Sequence, residues 1–122
     1  MKLIICNRIE VVHVNDVQSI DGENVTLFSL REWIPVKTIS PVTYELSTEP
    51  TDAGTLRTEN ISLTAYANEV ESLMNDKQYY ILRLHSSDGT FIAGSKNFPA
   101  VKQFSGNKQQ VDVTFRVVSA EL

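Results

Sequence analysis

Apolar and polar residues alternate through much of this chain. In Val111-Asp112-Val113-Thr114-Phe115-Arg116-Val117 the apolar side chains share one face, and Asp112, Thr114 and Arg116 share the other. Ile61-Ser62-Leu63-Thr64-Ala65-Tyr66-Ala67 repeats the pattern. Tyr79–His85 sets Tyr80, Leu82 and Leu84 on one side and a mixed row of Tyr79, Ile81, Arg83 and His85 on the other. A period of two is what a strand with one buried face requires. Asp88-Gly89 follows, a hairpin signal because glycine takes positive φ without steric cost, and Thr90–Gly94 is the expected return strand. Asp21-Gly22 predicts a second turn between Val17–Ile20 and Val25–Leu30. Arg8–Val14 and Val42–Leu46 are further strands. One short helix is expected over Glu69–Asn75, capped by Asn68, with Val70, Leu73 and Met74 at helical spacing. The fold class predicted is all-β, mainly antiparallel: a sandwich or partly closed barrel with one short helix.

One stretch breaks the pattern. Ser47–Asn60 is polar, with Leu56 its only sizeable apolar residue. It reads as an arm or loop projecting from a single β domain over residues 1–122, ordered when a neighbouring subunit supplies contacts.

Composition fits one globular unit, with 122 residues, 42% apolar and 21% charged. The net charge of −4 opposes nucleic-acid binding, since phosphate recognition needs a concentrated positive field. The charge is uneven: Met1–Asp76 carries 5 basic and 12 acidic residues, Lys77–Leu122 6 basic and 3 acidic. Cys6 follows an apolar run, reads as a core residue and has no disulfide mate in the chain. The apolar start is interrupted at Asn7, Arg8 and Glu10, short of a leader peptide, and no run approaches a membrane span. A cytoplasmic protein without a membrane role is expected, and the sequons at Asn24 and Asn60 read as chance.

Candidate chemistry is sparse. His13 and His85 fall in strand-like runs with no nucleophile elbow beside them, and His13 with Asp16 makes no complete metal set. No phosphate loop is present. The expectation is no catalytic, cofactor or metal residues, hence no enzyme. Paired carboxylates brought together by folding stay open as a glycosidase arrangement.

Recognition is better served. Arg31 and Trp33 are residue types enriched at binding hot spots. On the arm, Glu49, Asp52 and Glu59 outweigh Arg57, and Leu56 offers an apolar contact. The matching basic surface is Lys96–Lys108, with Lys96, Lys102 and Lys108. These ten residues form the candidate interface with another protein. A carbohydrate-binding or other ligand-binding sandwich is the alternative, with Tyr66 and Tyr79 as its stacking aromatics.

From residue 79 onward the chain resembles a known group. Tyr80-Ile81-Leu82-Arg83-Leu84, Asp88-Gly89-Thr90, Gly94-Ser95, Phe98-Pro99 and the closing strand Val111–Phe115 are similar, in that order, to small structural proteins of phage and prophage tail modules. The likeness spans residues 79–118, and Met1–Asn60 carries no motif of that group. It implies a tail-tube-like subunit: a β-sandwich or barrel with a flanking helix, stacking into rings through sheet edges and an extended loop. It also implies no active site, with a virion as the final location.

Overall fold

The computed structural model describes residues 2–21, 24–52, 54–69, 79–106 and 109–121. Ten strands form: β1 (Lys2–His13), β2 (Val17–Asp21), β3 (Asn24–Leu27), β4 (Ile34–Val36), β5 (Val42–Thr51), β6 (Gly54–Tyr66), β7 (Tyr80–Ser86), β8 (Gly89–Ala93), β9 (Val101–Gly106) and β10 (Gln110–Glu121). Eight of them make one sheet in the order β8-β7-β1-β5-β6-β10-β9, with β4 beside the second half of β1. β2 and β3 form a separate hairpin. Every described strand pairing is antiparallel, as the turn spacing requires.

The sheet curls until its ends meet at one point. Just ahead of β9, Ala100 exchanges two backbone hydrogen bonds with Tyr80 at the start of β7, at 2.8 and 3.0 Å. Above this bridge β8 stays on β7, and the last third of β10 has no described strand on its β9 side. The result is a partly open barrel. Gly94 turns the chain there at φ 94°, where an added Cβ would sit 3.4 Å from Ala100 N and Tyr80 O. Only glycine suits that left-handed, crowded corner.

Alternation decides the facing, as read from the chain. Val111, Val113, Phe115 and Val117 point inward with Ile61, Leu63, Ala65, Tyr80, Leu82 and Leu84, while Thr114 stays partly exposed. Phe115 meets Tyr80 edge to face, with ring centroids 5.9 Å apart. Burying a side chain such as Phe115 contributes about 1.5–3 kcal/mol. Cys6 is buried in this core, and burial raises its thiol pKa. A second, smaller core forms outside the barrel. There Val12, Val17 and Ile81 are covered by Ile20, Val25, Leu27 and Trp33 from the β2–β3 hairpin and the strap leading to β4.

Three expectations change. The Asp88-Gly89 signal gives a hairpin, but Ser86 pairs with Gly89, so Ser87 and Asp88 occupy the turn. Gly89 opens β8 at φ 137°. The expected helix over Glu69–Asn75 lies outside the described residues, apart from Glu69, which ends a 3-10 turn at Ala67–Glu69. Ser47–Asn60 is not a loop. Its residues up to Thr51 and from Gly54 onward are strand, paired from Thr51↔Gly54 through Glu45↔Asn60. Polar strand residues serve well where both faces meet solvent, as at Ser47–Thr51, so polarity there marks exposure and not irregular backbone.

Candidate functional site

Two buried carboxylates organise the polar chemistry, on opposite sides of the barrel wall. Glu10 points outward from β1 yet is only 6% exposed. The register sets Arg83 of β7 directly opposite, and the guanidinium grips both carboxylate oxygens at 2.9 Å. His85 Nε2 lies 2.6 Å from Oε1, and Arg8 approaches Oε2 at 3.6 Å. The Arg83 hydrogen bonds outweigh the opposing effect of burial and, with help from His85, lower the Glu10 carboxyl to about 2. Trp33 closes the cluster, its ring 4.5 Å from the Arg83 guanidinium.

The contacts continue to β8. His85 pairs with Thr90 across the hairpin, placing Thr90 Oγ1 3.0 Å from His85 Nδ1. A carboxylate only accepts, so Nε2–H donates to Glu10; in the neutral ring Nδ1 then accepts from the Thr90 hydroxyl. Hydroxyl, imidazole and carboxylate are thus chained in the order a nucleophile, base and orienting group would take. Here the same carboxylate also holds Arg83 in a fork, and the chain runs along the outer wall as a cross-strand ladder. Among the described residues, no group of three or more His, Cys, Asp or Glu is placed to hold a metal ion.

Glu59 points inward from β6 at the open mouth of the barrel and is 7% exposed. The Tyr44 hydroxyl donates a short hydrogen bond to its Oε1, and Arg57 Nη2 stands 3.4 Å away. Burial, and then the neighbouring carboxylate, push the Tyr44 phenol up to about 12. Phe91 packs edge-on against Tyr44, with centroids 4.9 Å apart. The mouth encloses about 650 Å³ between Ile4, Tyr44, Leu46, Glu59 and Phe91. A narrower cleft of about 210 Å³ continues between Ile92 and Phe98 on one side and Val117 and Ser119 on the other.

The rest of the barrel wall is bare. The second core covers the β1–β7 face, whereas Leu3 and Ile5 on β1, Val101 on β9 and Val118 on β10 lie about half exposed. A surface groove of about 610 Å³ runs past Val101, Arg116 and Val118.

The predicted interface residues scatter over these regions. Trp33 is half-buried under Arg83, and Arg31 pairs with Asp16 at 3.5 Å on the nearby strap. Glu49 and Asp52 are exposed at the hairpin tip, and Leu56 pairs across from Glu49. Arg57 and Glu59 turn into the mouth. Glu59 is therefore not an exposed docking charge: it is in phase with Ile61, Leu63 and Ala65, and its strand carries it inward. Lys96 donates to the Gln18 carbonyl at 3.3 Å, and Lys102 donates to the Tyr80 hydroxyl at 2.9 Å beneath the Tyr80 ring. Lys108 lies outside the described residues.

Sequence reasoning missed Glu10, Arg83, Tyr44 and the buried state of Glu59. Glu59 had a readable signal, the inward phase of its strand. Glu10 stood out only as a charge among Ile9, Val11 and Val12. Its hydrogen-bond partners Arg83 and His85 lie more than 70 residues away, and no local pattern announces that pairing. Among the described residues, no helix is long and apolar enough to cross a membrane. No protein-family model, curated protein or solved structure matches this chain.

Proposed function

We propose that this chain is a non-enzymatic assembly protein, a subunit of the phage or prophage tail-module type that associates with copies of itself and with neighbouring structural proteins. The observation that carries the reading is the bare side of the barrel, where half-exposed Leu3, Ile5, Val101 and Val118 adjoin strand edges with no described neighbour. Exposed apolar side chains and unpaired edges together favour protein contacts. The segment that resembles tail-module proteins supplies β7 to β10, which include both ends of the curled sheet. A role in the cytoplasm of the producing cell, and then in a virion, belongs to the same reading. Light scattering from dilute to roughly millimolar protein, at low and high salt, tests it. A concentration-dependent species larger than the 13.7 kDa chain is expected; a monomer throughout overturns the reading.

A second reading, binding of a carbohydrate or similar polar ligand, draws on the mouth cavity, whose volume is in the usual range for ligand sites. Tyr44, Arg57 and Glu59 would supply its polar contacts. Saturable binding of an oligosaccharide by calorimetry, abolished in Glu59→Gln, would favour it over assembly.

A further inference from the structure

Backbone hydrogen bonds in an antiparallel ladder alternate, so successive residues of a strand bond to opposite neighbours. Ile39 N–H donates to Thr64 C=O on the β5 side of β6, at 2.7 Å, and Ala67 N–H donates to Gln109 C=O on the β10 side, at 2.9 Å. Even-numbered residues of β6 therefore face β5, and odd-numbered ones face β10. With the register Glu59↔Val117, Arg57↔Ser119 and Thr55↔Glu121, the odd residues of β10 bond to β6 and its even residues turn to the other edge. There Arg116 meets Val101, where β9 begins. The peptide groups of Val118 and Ala120 point outward with no described strand beside them.

The same alternation runs along β5, the other edge of this three-stranded ribbon. Past the end of β1 at Lys2↔Leu46, Thr48 and Pro50 turn outward. Pro50 has no N–H to give, a device by which edge strands refuse further pairing. The β10 edge has no such guard. β8 also turns two residues outward, Thr90 and Ile92, but its outer face is engaged with His85 and the second core. Beside the β10 edge, by contrast, Val101 and Val118 are 50% and 42% exposed.

We propose that the upper edge of β10 is a self-docking surface, on which a second copy of this chain lays the same edge antiparallel. Val118 pairs with Ala120 of the second copy and Ala120 with Val118 of the second copy, about a two-fold axis through Ser119. The outward peptide groups on each copy match their mates, and two three-stranded ribbons become one six-stranded sheet. Such an isologous contact closes on itself as a dimer and does not propagate. The added strand also brings new neighbours to Val118. This inference rests on the proposed self-association and specifies its surface.

Sedimentation velocity on the full chain, from roughly micromolar to roughly millimolar, compares wild type with Val118→Pro and Thr48→Pro. Proline at Val118 removes an N–H that points away from β6, so the ladder within the chain stays intact. A dimeric wild type, a monomeric Val118→Pro with unchanged circular dichroism, and a dimeric Thr48→Pro are expected. Should Val118→Pro fail to fold, Val118→Lys serves: it keeps the N–H but sets two like charges near the two-fold axis, and at least a tenfold weaker dimer is expected. A dimer untouched by folded Val118→Pro, or by Val118→Lys where that variant replaces it, overturns the surface and leaves self-association standing. A monomeric wild type overturns both, and would leave the edge to a strand from a different protein.

Discussion

Glu10 and Glu59 are equally buried and yet solve the cost of burial in different ways. Glu10 sits on the outer wall between strands whose register delivers an Arg fork and a histidine, so its charge is met by a guanidinium and an imidazole N–H at hydrogen-bond distance. Glu59 sits at the mouth, where its close partner is the neutral Tyr44 hydroxyl and its cation stands off at 3.4 Å. The first arrangement lowers the carboxyl itself, and the second raises the phenol beside it. A packed wall fixes partners through the strand ladder. At the mouth a hydroxyl makes the close contact and the cation stands further off. The wall cluster is therefore expected to bear on stability and the mouth on contacts with other molecules.

Acid gives the largest expected effect. Glu10 moves from an ordinary 4.5 to about 2 on folding, so its contribution is complete above 4.5 and is lost as the pH falls through 2. On the order of 3 kcal/mol should disappear over that window. Urea denaturation across the acid range should show this slope, and Glu10→Gln should flatten it. An unchanged slope in Glu10→Gln would remove the wall cluster as its source.

Arg83→Met comes next. It leaves the Glu10 carboxylate with His85 and the more distant Arg8, and should cost about 2–3 kcal/mol at neutral pH. The emission of Trp33 should shift as the guanidinium leaves its ring. Arg57→Met, at the mouth, should cost only about 1 kcal/mol, because the guanidinium stands 3.4 Å from the carboxylate and the Tyr44 hydrogen bond to it remains. Guanidinium melts of the two variants check the ranking, and equal losses would break the comparison.

The remaining effect lies at the alkaline end. The Tyr44 phenol keeps its proton up to about 12 in the folded chain, against 10 when unfolded, so stability should decline as pH rises from 10 to 12. Tyr44→Phe should remove part of that decline and cost about 1 kcal/mol at neutral pH. Phenolate absorbance followed through the titration, wild type against variant, identifies the late-ionising ring.

What the sequence by itself determined is the set of properties that depend on near neighbours. Alternation at Ile61–Ala67, Tyr79–His85 and Val111–Val117 decided which side chains face the core, because successive side chains of a strand point to opposite faces. The chain also announced the hairpin near Gly89 and the buried Cys6. The same rule, carried four residues further back, covers Arg57 and Glu59, where polarity concealed it. Only the tertiary structure decided the register between distant strands. That register set Arg83 against Glu10, turned a polar stretch into a paired ribbon, and left the even residues at the end of β10 facing an edge with no described strand. Backbone pairing follows closure of the sheet as a whole, a balance among all its strands that no short window of residues contains.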